Sequence, residues 1–173
     1  MKIAILGGSG FIGSHVADAL SKKGHKVTIF DKKKSKWIKK NQKIVIGSVL
    51  DSDSLKKAIR GSQVVYNFAA LADLDYAKYK PIETVKINIL GTINALTVSK
   101  KCNVKRFVQA STIYANSKEG GFYARSKKAA EDYIEEFQNI ANYYFLIFFY
   151  PFRFFFVKNY YIMAFFTQSI SNM

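Results

Sequence analysis

The chain is poor in cysteine, proline, histidine and acid. Its 173 residues include one Cys, two Pro, two His and 12 Asp or Glu, against 27 Lys or Arg. A lone Cys102 has no partner, which excludes a disulfide scaffold and makes a reducing, cytoplasmic setting the expectation. Cys102 itself reads as a packing residue near a helix end. His15 and His25 lack ligand spacing, and Asp73, Asp75 and Glu83 are too scattered to pair, so no metal centre is expected. Residues 1–7 hold too short an apolar stretch for a secretory signal. What is plentiful is hydrophobic content, 49%; it suffices for one packed domain and excludes intrinsic disorder.

Positive charge is abundant, with a formal net value of +15. Seven lysines fall within KKKSKWIKKNQK, from Lys32 to Lys43. Such a stretch around one Trp can hold phosphate backbones electrostatically. Lys, Asn, Ile, Phe and Tyr are abundant throughout, however, as A+T-rich codons produce. A solvated loop is the simpler reading, and nucleic acid is not an expected partner.

Hydrophobic periodicity alternates between strand and helix. KIAIL, at 2–6, is a short apolar run ending in glycine, as a buried parallel strand should be. Ile12, Val16 and Leu20 then recur at helical spacing, and Gly24 closes that helix. Further strands are predicted at 25–31, 43–47, 63–70 and 105–111. Ser52 or Asp53 is the expected cap of a helix carrying Leu55, Ala58 and Ile59. Pro81 opens a long helix to about Lys101, and another spans 123–137. Strict alternation of β and α predicts an open parallel sheet with helices on both faces.

Two motifs carry chemistry. Gly7-Gly8-Ser9-Gly10-Phe11-Ile12-Gly13 lies between the first strand and its helix and satisfies G-x-G-x-x-G. Its glycines make a tight turn, admit a pyrophosphate to the backbone and let helix pack on strand, while the helix N-terminus supplies N–H groups for phosphate. Asp31 follows 18 residues beyond Gly13, at the end of the second strand. A carboxylate there accepts bonds from ribose hydroxyls and repels a 2′-phosphate, so NAD is favoured over NADP. The second motif is Tyr123-Ala-Arg-Ser-Lys127, which puts phenol and ammonium on one helix face. A Lys beside the phenol, with a positively charged nicotinamide nearby, is expected to lower the phenol pKa for acid/base work. Ser111-Thr112, ending the fifth strand, offers the accompanying hydroxyl.

With these residues the chain resembles the extended short-chain dehydrogenase/reductase family, the NAD-dependent epimerase/dehydratases that include UDP-galactose 4-epimerase. The likeness spans roughly residues 1–141. It rests also on Asn67-Phe68-Ala69-Ala70, on Asn88-Ile89-Leu90-Gly91-Thr92 and on Arg106-Phe107-Val108-Gln109-Ala110-Ser111-Thr112. The resemblance implies a Rossmann-type doubly wound sheet, α/β in class, with NAD as cofactor. It implies that Gly7, Gly10, Phe11, Ile12 and Gly13 bind the cofactor with Asp31. Val49 would contact the adenine, Ala69 and Ala70 would border the cofactor, and Asn88 would support the site backbone. Thr112, Tyr123 and Lys127 would be catalytic, with Ser111 the alternative hydroxyl and Lys127 also on the nicotinamide ribose. The implied reaction is epimerisation of a nucleotide sugar through a keto sugar. A homodimer pairing the helices at 81–101 and 123–137 follows from the same likeness. A non-catalytic NAD(P)-binding module is the alternative function.

Departures from the family pattern are specific. The G-D-x-x-D after strand three appears as Gly47-Ser48-Val49-Leu50-Asp51, without the first carboxylate. Ile113 and Tyr114 follow Thr112, where dehydratases and decarboxylases of the family place a carboxylate; this argues for epimerisation. Between Tyr143 and Phe166, 14 of 24 residues are aromatic. A sixth strand fits at about 143–149, and the rest follows neither period. Pro151, Arg153, Lys158 and Asn159 break the stretch short of the ~20 apolar residues of a membrane span. The expectation is a dinucleotide-binding domain over 1–150, a substrate lobe missing through truncation, and an aberrant or disordered tail over 151–173.

Overall fold

All six expected strands form in the computed structural model, which describes residues 1–141, 144–150 and 154–155. In chain order the elements are β1 (Lys2–Leu6), α1 (Phe11–Lys22), β2 (Lys26–Asp31), β3 (Gln42–Ile46), α2 (Ser52–Ile59), β4 (Val64–Asn67) and α3 (Leu74–Tyr79). Then come α4 (Pro81–Thr84), a π-helical segment (Val85–Leu90), α5 (Gly91–Lys101), β5 (Arg106–Thr112), a 3₁₀ turn (Ile113–Asn116), α6 (Gly121–Ala141), β6 (Tyr144–Tyr150) and β7 (Phe154–Phe155). The sheet runs β3-β2-β1-β4-β5-β6-β7. Its strands pair in parallel except β6 with β7. The order reverses between β1 and β4, and ligands of open α/β sheets bind at such a switch point.

Alternation within each strand explains the two-sided core. Ala4, Leu6, Phe30, Val65 and Phe107 belong to one cluster with residues of α2, α5 and α6. Ile3, Ile5, Val27, Ile29 and Val108 point the other way and pack with Ala17 of α1. Both parities are apolar because helices cover both faces. Each of the Val, Leu, Ile and Phe side chains contributes roughly 1.5–3 kcal/mol through burial.

The structure differs from the sequence reading in several places. Asp51, rather than Ser52 or Asp53, caps α2, accepting the Asp53 N–H at 3.0 Å. The cap is the last residue with extended backbone, and Ser52 already lies in the first turn. β4 ends at Asn67 instead of Ala70. Beyond it the chain still gives one bond to β1, from Phe68 N to Leu6 O at 2.8 Å, before leaving the sheet. The long helix at 81–101 is interrupted by the π-helical segment, which seats Ile87 and Asn88 in the interior. α6 begins two residues before Tyr123. The expected boundary at 150 falls between β6 and β7, and most of 151–173 lies outside the described residues. Among the described residues, no helix is long and apolar enough to cross a membrane.

Candidate active site

Close backbone contacts at Gly7 and Gly13 set the path of the glycine turn. Gly7 has φ +74°, and a Cβ there would lie 2.6 Å from the Ala69 nitrogen. At Gly13 a Cβ would stand 2.3 Å from the Gly7 carbonyl oxygen. The first requirement holds β4 against the turn, and the second lets α1 start beneath it. Gly10 precedes α1 without any side-chain cap, so first-turn N–H groups remain for an anionic ligand. A cleft of ≈ 440 Å³ opens above, lined by Gly7, Gly10, Asp31, Val49, Ala69 and Ala70 among others. A cradle that side chains would fill, beside a carboxylate, fits a dinucleotide. Asp31 is preorganised: its two oxygens accept the N–H groups of Ser9 (3.0 Å) and Lys33 (3.2 Å). Lys32 and Lys33 share the cleft wall, whereas Trp37 at the loop's far end is 68% exposed.

Not every residue of the motif reaches this cleft. Phe11 is exposed, with its ring 4.8 Å from that of His15. Ile12 is half-buried, Gly13 is buried inside the turn, and neither lines the cavity. Asn88 lies in the interior behind the wall. Thr112, Tyr123 and Lys127 form a second cluster, also outside the cavity lining.

That cluster arises where the carboxyl end of β5 meets α6. Helical spacing of four puts Tyr123, Lys127 and Glu131 on one stripe. The Thr112 hydroxyl accepts the Tyr114 N–H at 3.3 Å and lies near enough to the Tyr123 phenol to act on its pKa. Thr112 rather than Ser111 is thus the hydroxyl beside the phenol. Ser111 points to the buried carboxylate of Glu131 and donates to it. Lys127 is 4% exposed and donates to the Ala110 carbonyl at 2.5 Å.

Burial dominates the electrostatics of the cofactor-free site. It pushes the Tyr123 phenol above its ordinary pKa, opposed by Thr112. Without the cofactor the Lys127 ammonium is turned to the Ala110 carbonyl. Burial brings Lys127 down to about 8, with the Glu131 charge acting upwards. Glu131 is itself raised, first by burial, against the Ser111 bond and the charges of Lys128 and Lys127.

The two clusters are joined through Asn88. Its side chain accepts the Leu71 N–H (2.7 Å) and donates to the Leu71 carbonyl (3.1 Å). It also donates to Ser126 Oγ (2.9 Å), which donates to the Tyr123 carbonyl (2.7 Å). Leu71 lines the cleft, so Asn88 ties cleft wall to phenol-bearing helix. A second buried line runs from Asn67 to Gln109 Oε1 (2.8 Å), and from Gln109 Nε2 to the Ala110 carbonyl (3.0 Å) that also holds Lys127.

Sequence reasoning missed Gln109, Ser126 and Glu131, along with α3 and the π-helical segment. For α3 a signal existed: Asp73 stands three residues before Tyr76, and its carboxylate accepts that N–H at 2.8 Å, as an N-cap does. Glu131 was visible as the next i+4 step after Lys127. Gln109 carried no signal beyond being polar within an apolar strand. Among the described residues, no group of His, Cys, Asp or Glu is placed to hold a metal ion.

Residues 3–155 match the NAD dependent epimerase/dehydratase family. The chain belongs to that family. Among curated relatives, a UDP-N-acetyl-alpha-D-glucosaminuronate decarboxylase of Bacillus cytotoxicus is 40% identical over 114 residues, 62% of this chain and 35% of the relative. A UDP-glucuronic acid decarboxylase 1 of Danio rerio is 34% identical, over 64% of this chain and 27% of its own. Among solved structures, Thermotoga maritima UDP-glucose 4-epimerase with UDP-glucose superposes with TM-score 0.77 at 28% identity, covering 85% of this chain and 54% of that one. The Thermus thermophilus UDP-glucose 4-epimerase complex with NAD gives TM-score 0.78 at 26% identity with the same coverage. The chain thus spans about a third of the first curated relative and about half of these structures.

Proposed function

We propose that the chain supplies the NAD-binding and acid/base portion of a sugar-nucleotide oxidoreductase of the epimerase type. The observation that carries this reading is the Asn88–Ser126 link from the wall of a glycine cradle to the helix that bears Tyr123 and Lys127, with Thr112 beside the phenol. NAD held in the cradle would supply a hydride acceptor for a sugar carbon and, once reduced, a hydride donor. The α1 N-terminus and Gly7–Gly10 backbone bind its phosphates, Asp31 takes ribose hydroxyls, and Val49 packs on the adenine. Phe11, Ile12 and Gly13 shape the turn. Ala69 and Ala70 border the cofactor.

Tyr123, as phenolate, takes the proton of the sugar hydroxyl being oxidised. Thr112 shares its hydrogen bond with the reacting oxygen and stabilises charge as it develops. Lys127 would hold the nicotinamide ribose, and an ammonium turned from Ala110 to do so would bring positive charge to the phenol and lower its pKa. Once the keto sugar presents its other face, Tyr123 returns the proton and the centre is inverted. The exposed Ile82, Val85, Leu90 and Tyr133 give the helices an apolar face for the homodimer.

Decarboxylation is the second reading, because the curated relatives include decarboxylases. Ile113, standing where those enzymes carry an acid, speaks against it. Incubation of the chain, extended with a family-like C-terminal lobe, with NAD and either UDP-hexoses or UDP-uronic acids separates the readings by product. An interconverted hexose pair is expected. Loss of carbon dioxide from the uronic acid would establish the decarboxylase. Stoichiometric NAD binding without any product would leave a non-catalytic binding module.

A further inference from the structure

Resting on the reading of Lys127 given above, we propose that the buried Ser111–Glu131 pair is a positioning device for Lys127, an anionic seat that keeps its ammonium protonated. Ser111, Lys127 and Glu131 are 7%, 4% and 7% exposed. An unpartnered ammonium at such depth gives up its proton rather than bear the desolvation cost. Two groups act on it here: one neutral acceptor, the Ala110 carbonyl, and one negative charge, Glu131 one helical turn away. Glu131 acts through space, since its contact with Lys127 is coulombic and not a hydrogen bond. A buried carboxylate would protonate in turn, and the Ser111 hydroxyl, donating to it from β5, favours the anion. The chain of effects runs from Ser111 through Glu131 to Lys127.

Other charges do not substitute for this pair. Lys128 and Asp132 act on Glu131 from its own helix with opposite signs and are exposed. On the elements packed against α6, Asp75, Lys78, Lys86, Lys100, Lys101 and Arg106 are all exposed and Glu83 is half-buried at the cleft wall. At about 8, Lys127 sits close enough to neutrality that losing one negative neighbour changes its charge state. Glu131 touches neither cofactor nor sugar in this scheme and acts only through Lys127.

The test titrates Lys127 directly, by nitrogen-15 NMR of the buried Nζ in the cofactor-free protein, assigned by its loss in Lys127→Met. Glu131→Gln keeps shape and removes charge, and its midpoint is expected to fall by about one unit or more. Glu131→Asp restores part of the shift. Ser111→Ala moves the midpoint in the same direction by less, and it carries the test alone if Glu131→Gln does not fold. NAD affinity of Glu131→Gln is expected to fall increasingly as pH rises from about 6 to about 8, as Lys127 loses its proton. A purely structural Glu131 would give a loss independent of pH. An unmoved Lys127 midpoint in both variants overturns the proposal. A shifted midpoint in a protein that binds no NAD would sustain the seat and sink the reading of the site, so the two failures are distinct.

Discussion

The two ends of the site are made of different material. At the β1–α1 turn, geometry is enforced by backbone against backbone: glycines at 7 and 13 admit no Cβ, and Gly7, Gly10, Ala69 and Ala70 leave the cavity open beside Asp31. At the β5–α6 junction, it is enforced by buried polar side chains: Asn67, Asn88, Gln109, Ser111, Thr112, Ser126, Lys127 and Glu131 are all buried there. A backbone cradle tolerates many neighbours but no substituent. A buried polar network tolerates shape changes but leaves stranded donors and charges when one member goes. The first end should fail by steric exclusion and the second by electrostatics, and that contrast can be broken or sharpened by experiment.

The largest effect is expected at Gly13. Gly13→Ala places a methyl 2.3 Å from the Gly7 carbonyl, and more than about 3 kcal/mol should be lost in denaturant unfolding together with NAD binding. Next comes Lys127. Its folded pKa, about 8, lies below the free value of 10.5. The unfolded chain therefore binds more protons between those values, and stability rises with pH across that window. Lys127→Met should accordingly stabilise the fold below pH 8 by on the order of 3 kcal/mol, an advantage lost by pH 10.5, while weakening NAD binding. Thermal melts across that range check both sign and window. A destabilised Lys127→Met at neutral pH would contradict the electrostatic account.

A smaller effect tests the network. Gln109→Leu leaves the Asn67 amide only the longer bond to Thr92 Oγ1, at 3.4 Å, and should cost about 1–3 kcal/mol. Asn67→Leu with Gln109→Leu should cost less than the sum of the two single changes, although the Ala69 N–H loses its Asn67 acceptor; strict additivity in the double-mutant cycle would deny the coupling. The smallest effect is at Asp31. Asp31→Ala should weaken NAD about tenfold, or about 1.4 kcal/mol, and NADP less, read by calorimetry. Equal losses for both would remove the ribose argument.

The same contrast explains what was legible in the sequence. Gly7, Gly10, Gly13 and Asp31 were readable because glycine spacing between a strand and a helix encodes a backbone path that packing elsewhere does not alter. The strands were readable because both their faces are apolar. Tyr123 and Lys127 were readable as a helical pair, but the state of the phenol was not. It depends on which way a flexible ammonium turns, and Ala110 offers it a carbonyl from another element. Gln109 and Ser126 were hidden for the same reason: their partners lie 42 and 38 residues away in the chain. The break in the 81–101 helix was invisible because the apolar spacing of Val85, Ile89, Ile93 and Leu96 runs through it, and Asn88, which sits in the wider turn, bonds Leu71, 17 residues away.

The central claim is that cradle and phenol make one site, and the phenol itself reports on it. Tyr123 titration can be isolated from the 11 tyrosines as the ultraviolet difference between wild type and Tyr123→Phe, with and without the oxidised cofactor. Without it, burial holds the phenol above its ordinary pKa. Oxidised NAD, bringing its positive nicotinamide and drawing Lys127 towards the ribose, is predicted to lower that pKa, and the reduced cofactor to lower it less. A Tyr123 titration indifferent to saturating NAD would place the phenol outside the cofactor's reach and contradict the account.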